Sequence, residues 1–352
     1  MPSTDASNPS DPTDPSPAFG AVQLWLRVFG TGVAIVAALL LWTLLTPPFR
    51  GDLTRLGRLS EAEFGPTQPP HPVERALRVS STLQEADVLV IGDSFSAPLL
   101  WQSVLVNRGL RVATIDWLTL GPVCADLGSV LRTQGFRGSA VVIESVERGL
   151  DGHLDDALAC ARTRTGRLQT RQGARDWDTV GPFGLNTSET LFTGLLTTLH
   201  TRDARRSDAE ELVHHTDGAD RVRIQRVPNG CQRFSHRLCE RGLFFADDQT
   251  SAPFGPSSVE RMQQLARRHT DLSITWLVLP NKSTVYLEPE RAATVGTTLE
   301  AAGLGPDLFG AFVHLSRQTR DLYSPNDTHT STEGHEALGQ RVFDWLERRT
   351  HR

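Results

Sequence analysis

Residues 88–96 read VLVIGDSFS, four aliphatic side chains followed by Gly-Asp-Ser. A short apolar run that ends in turn residues is typical of a buried strand. Because strands alternate with helices along the chain, the sequence predicts an α/β fold with a parallel sheet and helices on both faces. The other predicted strands are 111–115, 140–145 and 273–279, and the predicted helices are 95–107, 260–269 and 290–302.

Composition narrows the class of protein. The 352 residues are 39% hydrophobic and 22% charged, which is typical of a folded globular chain and excludes a multi-span membrane protein. The formal net charge of −5 argues against a nucleic-acid partner, because such proteins need a basic face. Lys282 is the only lysine, and every other basic residue is arginine.

An apolar segment near the N-terminus predicts one membrane anchor. Residues 28–45 carry no charge and would form about 27 Å of helix, close to the ~30 Å hydrocarbon core. We therefore predict a disordered tail at 1–23 and a transmembrane helix at 24–46. A cleaved signal peptide is the alternative, but residues 47–50 (PPFR) offer no small-x-small cleavage site.

The orientation of this helix is less clearly encoded. Three arginines follow the helix and one precedes it, so the positive-inside rule alone favours a cytoplasmic domain. We nevertheless expect a single-pass inner-membrane protein whose large domain faces the periplasm, because a short tail before a large domain is the usual anchor arrangement. An oxidising compartment would permit disulfides between Cys231 and Cys239 and between Cys124 and Cys160, with free buried thiols as the alternative.

The remainder divides into a linker and one large domain. Residues 47–75 are rich in Pro and Gly and are predicted to be a linker, which leaves 76–352 as one large domain. Between 151 and 255 the alternating pattern gives way to Arg/Thr/Asp-rich sequence, predicted to be an insertion. It contains a predicted helix at 188–200 and a possible hairpin at 228–230.

Ser94 is the first candidate catalytic residue. It stands where a parallel strand ends, at the sheet edge where open α/β folds bind their ligands. Its hydroxyl would be exposed, and the amides of the following helix could stabilise an oxyanion. The alternative is that Gly-Asp-Ser is an ordinary turn and helix cap.

Asp327 and His329 supply the partners that a nucleophilic serine needs. An imidazole takes the serine proton, and a carboxylate sets the tautomer of that imidazole. The two residues precede a helix predicted to run to about Trp345, so a capping loop is the alternative. A metal site formed by Asp327, His329 and His335 is a weaker one, because Gly334 separates the ligands awkwardly.

Together, four segments resemble the SGNH hydrolase superfamily and, within it, the alginate O-acetyltransferase group. They are VLVIGDSFS (88–96), VVIESVERGL (141–150), LVLPNKSTVYL (277–287) and NDTHTSTEGHEALG (326–339), about a third of the chain. The Asp-x-His spacing is the most specific element. The chain departs from the alginate enzymes because its Asp-His segment follows the GDSFS segment, and it lacks the G-x-N-D block whose Asn helps to form the oxyanion hole.

The resemblance implies a flavodoxin-like sheet and a Ser94–His329–Asp327 triad. It implies a membrane-anchored O-acyltransferase, most simply an O-acetyltransferase of a secreted or cell-surface polysaccharide, with a membrane-embedded partner that supplies the acyl group and no soluble cofactor. An esterase with the same triad and a non-catalytic glycan-binding scaffold are the alternatives. Without the Asn, we predict the backbone amides of Ser94 and Gly121 as oxyanion donors.

Three further residues are candidate substrate contacts. Arg148 follows a predicted strand and would bind a sugar or an oxyanion, or else form an ion pair with Glu147 or Glu144. Lys282 and Tyr286 follow the strand at 273–279 and would lie at the same edge of the sheet. A solvated surface lysine is the alternative for Lys282.

Overall fold

The structure is a computed structural model that describes residues 17–69, 71–163, 166–173, 184–215, 221–248 and 253–350. The chain forms two compact units, one of residues 1–46 with 185–196 and the other of 47–184 with 197–352. The strands are β1 Val88–Gly92, β2 Val112–Asp116, β3 Ala140–Val146, β4 Glu211–His215, β5 Arg221–Arg226, β6 Arg241–Phe245 and β7 Ser273–Leu279.

The α-helices vary from single turns to a 29-residue helix at the N-terminus. They are α1 Pro17–Leu45, α2 Asp52–Gly57, α3 Glu61–Phe64, α4 Leu100–Asn107, α5 Trp117–Leu120, α6 Leu127–Thr133, α7 Glu147–Ala159, α8 Thr193–Arg206, α9 Gly230–Arg233, α10 Pro256–Arg268, α11 Lys282–Leu287, α12 Pro289–Ala301, α13 Leu308–Leu315 and α14 Thr332–Thr350.

The central sheet is parallel and has the strand order β2-β1-β3-β7. Val88 of β1 pairs with Val112 on one side and with Ala140 on the other, and the register continues without a bulge. All five residues of β1 are buried, as expected for a strand covered on both faces. The predicted α/β class is therefore confirmed.

Helices cover both faces of this sheet. Leu89 and Ile91 belong to a core with α6, α7, α10 and α12, whereas Val88 and Val90 belong to a core with α4, α11 and α14. Successive strand residues point to opposite faces, so one apolar run serves both cores. This arrangement brings the carboxyl ends of β1 and β3 to one edge, where the candidate site lies.

A second, antiparallel sheet lies within the predicted insertion and has the order β4-β5-β6. A tight turn with Asn229 at φ 55° follows β5, and α9 precedes β6. The helix predicted at 188–200 corresponds to α8, which starts five residues later than predicted. The stretch 47–75, predicted to be a linker, contains the helices α2 and α3, whose Leu53 and Phe64 share a core with this sheet.

Helix α1 begins at Pro17, within the predicted tail, of which residues 1–16 lie outside the described part of the chain. Its residues Gly20–Leu45 form one helix that is long and apolar enough to cross a membrane. At 26 residues this segment is about 39 Å long, more than the hydrocarbon core requires.

Both predicted disulfides are present. Cys124 bonds to Cys160, across 36 residues, and Cys231 bonds to Cys239, across 8 residues. The first joins the segments that precede α6 and follow α7, and the second closes the β5–β6 connection.

Candidate active site

The Gly-Asp-Ser turn is built by hydrogen bonds to the side chains of Asp93 and Glu144. Asp93 Oδ1 accepts from the Phe95 amide and Oδ2 from the Val146 amide, both at 2.9 Å, which ties the end of β1 to the end of β3. A Cβ on Gly92 would lie 2.2 Å from the Ser96 hydroxyl oxygen, so only glycine fits there. These contacts hold Ser94 exposed at the sheet edge.

This turn also changes the predicted helix at 95–107. Residues 94–98 form turns and Leu99 adopts a left-handed conformation with φ 56°, so α4 begins only at Leu100. The helix thus starts six residues after Ser94, and the amides that directly follow the serine belong to turns and not to the predicted helix.

Glu144 accepts hydrogen bonds from the Gly-Asp-Ser turn and was not predicted as a site residue. Its Oε2 accepts from the Asp93 amide at 2.9 Å and from the Ser96 hydroxyl at 2.7 Å. The side chain is fully buried, and burial together with the nearby Asp93 raises its pKa well above the ordinary value. Its position in the run 141–146, otherwise nearly all apolar, is a signal that sequence reasoning passed over.

Ser94, His329 and Asp327 form a continuous chain of hydrogen bonds, although 235 residues separate Ser94 from His329. Asp327 Oδ1 lies 2.6 Å from His329 Nδ1, and His329 Nε2 lies 2.8 Å from Ser94 Oγ. A carboxylate can only accept, so Nδ1 donates to Asp327 and Nε2 of the neutral ring accepts the Ser94 proton. This is the geometry that nucleophile activation requires.

Packing fixes the ring of His329. Phe95, the residue after the serine, lies beside it with ring centroids 4.6 Å apart. His335 also lies beside Phe95, with 6.4 Å between the centroids of these two rings, and its side chain is buried. Burial and the nearby His329 lower the pKa of His335 to about 3, so this ring is neutral and adds no competing charge.

The electrostatic surroundings favour a protonated His329. Burial acts to lower its pKa, but the charge and hydrogen bond of Asp327, with the further charges of Asp52 and Asp93, outweigh burial and raise the pKa above 6.5. Burial acts to raise the pKa of Asp327, and His329 outweighs it and lowers that pKa to about 2. Asp327 is therefore ionised throughout the neutral range.

A pH dependence follows for any serine-dependent reaction at this site. His329 must be neutral to accept the serine proton, so kcat/KM is expected to rise with pH through a pKa above 6.5 and then to level off. Rates with a soluble acetyl ester, measured from about pH 5 to about pH 9, test this. An acid limb centred below 6.5 would contradict it.

Lys282 is buried against a loop of its own chain, whereas it was predicted to lie open to substrate. The side chain is 1% exposed, and Nζ donates to the carbonyl oxygens of Ser324, Pro325 and Asp327 at 2.7, 3.0 and 3.1 Å. Burial lowers its pKa to about 8, while Asp327 and Asp52 oppose that shift. The only lysine of the chain thus holds the loop that carries Asp327 and His329, and it is not a solvated surface residue.

Tyr286 and Arg148 also have structural partners. Tyr286 is 2% exposed and its hydroxyl accepts from the Tyr323 amide, so the prediction of a substrate contact is wrong because the side chain lies in the core. Arg148 pairs with Asp248 at 3.3 Å and lies over the ring of Phe245. An ion pair was the alternative for Arg148, but its partner is Asp248, neither Glu147 nor Glu144.

The two backbone amides predicted as oxyanion donors, those of Ser94 and Gly121, differ in their hydrogen bonding. The Gly121 amide donates to the Trp117 carbonyl at 2.7 Å, so it is not available to a ligand in this structure. Within the described residues, the backbone amide of Ser94 makes no hydrogen bond. Ser94 therefore remains a candidate donor, and Gly121 does not.

The carboxylates near His329 accept hydrogen bonds from groups of the protein itself. Asp52, Asp327 and His329 have ligand atoms within 4.8 Å of one another. Each carboxylate oxygen accepts from an N–H or O–H group of the neighbouring backbone or side chains, so we assign a hydrogen-bonded cluster. His335, the third member of the alternative metal set, is not part of it.

Comparisons of the chain with protein-family models, with curated proteins and with solved structures find no match. The function proposed below therefore rests on the geometry of the site and on the sequence resemblance.

Proposed function

We propose that this chain is a membrane-anchored serine O-acyltransferase of the SGNH type, which acetylates hydroxyl groups of a secreted or cell-surface polysaccharide. The observation that carries the proposal is the hydrogen-bonded chain Ser94–His329–Asp327, with distances of 2.8 and 2.6 Å, on an exposed turn at the carboxyl end of β1. The choice of an acetyl group as the group transferred, and of a polysaccharide as its acceptor, comes from the sequence resemblance.

The reaction takes place in two transfers. His329 Nε2 removes the Ser94 proton as Oγ attacks the acyl carbonyl of the donor, and the donor's leaving group departs with that proton. A sugar hydroxyl then attacks the acyl-serine, His329 takes the hydroxyl proton and returns it to Ser94 Oγ, and the sugar ester leaves. Asp327 stabilises the imidazolium in both steps, and the Ser94 amide is the candidate oxyanion donor.

The N-terminal helix and the disulfides support an exported location. One apolar helix is compatible with single-pass anchoring, and two disulfides are typical of an oxidising compartment. We therefore propose that the protein is anchored in the inner membrane with its larger unit in the periplasm. A membrane-embedded partner that delivers the acyl group, and a polysaccharide that accepts it, are the expected partners.

The second candidate is an esterase that removes acetyl groups from a glycan. Ser94 is exposed, and an acyl-serine open to solvent can be attacked by water as well as by a sugar. Transfer and hydrolysis share the first step and differ only in the acceptor.

Purified full-length protein in detergent, incubated with an acetyl-ester donor and a panel of oligosaccharides, separates these functions. We expect acetylated oligosaccharide, detected by mass spectrometry. Free acetate alone, independent of added sugar, would identify an esterase. Oligosaccharide binding without any turnover of the donor would indicate a non-catalytic scaffold.

A further inference from the structure

Asp52, at the start of α2, contacts the candidate triad although 275 residues separate it from Asp327. The Asp52 amide donates to Asp327 Oδ2 at 2.9 Å. In return the Asp52 carboxylate accepts from the Thr328 amide at 2.8 Å and from the Thr328 hydroxyl. Asp52 Oδ2 lies 3.9 Å from His329 Nδ1. Asp52 thus binds the two residues that precede His329 in the chain.

The residues around Asp52 bind the same loop. The amides of Leu53 and Thr54 donate to the Asn326 carbonyl at 3.1 and 3.2 Å, and Glu61 Oε2 accepts from the Asn326 side chain at 2.9 Å. A Cβ on Gly51 would lie 1.9 Å from that carbonyl oxygen, so the close approach requires glycine. We call residues 50–61 the loop-binding segment.

The loop-binding segment is itself supported. Leu53 and Leu59 are fully buried in a small core with Val222, Ile224 and Leu243 of the antiparallel sheet. Glu61 Oε1 accepts from the Arg50 and Gly51 amides at 2.7 and 3.0 Å, which closes the segment on itself. The insertion and the segment after α1 therefore form one support for the loop of Asp327 and His329.

We propose that Asp52 is a positioning residue of the triad, which fixes the Asp327–His329 loop and places a second negative charge beside the imidazole. The loop-binding segment then belongs to the active site and is not a tether between α1 and the catalytic unit. This inference rests on the proposed function only in giving His329 the role of base.

The charge of Asp52 acts on His329 in a defined direction. The groups that face His329 are Asp327, Asp52 and Asp93, the neutral His335 across Phe95, and the Lys282 ammonium bound to the loop carbonyls. The three carboxylates favour the imidazolium. Removing the Asp52 charge is therefore expected to lower the pKa of His329, because both side chains are less than a quarter exposed and Asp52 Oδ2 lies 3.9 Å from Nδ1.

The test measures that pKa directly and does not depend on turnover. Full-length protein in detergent is labelled at the histidine Cε1 position with ¹³C, and the His329 signal among the 11 histidines is assigned with His329→Gln. Titrations compare the wild type with two neutral variants, Asp52→Asn and Asp52→Ser. One folded variant of the two is enough to decide the test. Asp307→Asn is the matched control, because the Asp307 carboxylate also accepts from a backbone amide but lies at α13.

We expect the neutral variants to lower the His329 pKa by about 0.5–1 unit while Asp307→Asn leaves it unchanged. With the ester assay, the acid limb of kcat/KM shifts to lower pH by the same amount. A His329 pKa equal to that of the wild type in a folded Asp52 variant would overturn the inference. If the proposed function fails, the wild type shows no turnover, yet the pKa shift remains measurable.

Discussion

Replacing Ser94 with alanine is expected to reduce turnover of an acetyl ester by at least about 10⁴-fold. The Ser94 hydroxyl is the group that donates its proton to His329 Nε2, at 2.8 Å, and without it no acyl-enzyme forms at this serine. The loss of turnover is measured by comparing the steady-state rates of full-length Ser94→Ala and wild-type protein at equal concentration.

The fold should be unaffected by this substitution. Ser94 is exposed, so the melting temperature of Ser94→Ala is expected to stay close to that of the wild type. Ser129→Ala, at an exposed position of α6, serves as the matched control and should retain full activity. Unchanged turnover in Ser94→Ala would remove the serine from the mechanism.

Replacing Lys282 with methionine is expected to destabilise the protein by about 3–5 kcal/mol, the cost of breaking a buried charged network. Methionine fills a similar volume but leaves the three loop carbonyls of Ser324, Pro325 and Asp327 without their donor. Thermal unfolding should show a melting temperature lower by roughly 10 °C. Ester turnover at a temperature where the variant is folded should also fall, because the loop carries His329.

Two further variants make this result specific. Lys282→Arg keeps the charge, but a planar guanidinium cannot place one nitrogen against three carbonyls, so we expect an intermediate loss of stability and activity. Arg267→Met removes a cation from the exposed face of α10 and should change stability by less than about 0.5 kcal/mol. If Lys282→Met melted like Arg267→Met, the ammonium would not hold the loop.

The elements that carry periodic apolar runs could be predicted from the sequence. The strand predicted at 273–279 is β7. The strand predicted at 140–145 ends one residue before β3 does, and the one predicted at 111–115 is shifted by one residue from β2. Each strand is buried on both faces, so its composition alone marks it. The pairing of Ser94 with the Asp-x-His loop was predicted from the partners that a nucleophilic serine needs and from the sequence resemblance.

Side-chain direction and long-range contacts could not be predicted in this way. Lys282 follows β7 as expected, but the sequence does not encode whether its ammonium points to solvent or to the loop carbonyls. Asp52 lies in a Pro/Gly-rich stretch that looks like a linker, and its role depends on a contact 275 residues away. The Gly121 amide was lost as a candidate donor because α5 uses it to close its own turn.

The central claim is that Ser94 carries the acyl group, and mass spectrometry of the acid-quenched reaction tests it most directly. Full-length protein is mixed with an acetyl-ester donor, quenched with acid during turnover, digested and mapped. We expect one added acetyl group on the peptide that contains Ser94, absent from Ser94→Ala and discharged when an acceptor sugar is added. Turnover of the donor with no acetyl group on Ser94, or with the acetyl group on another residue, would contradict it.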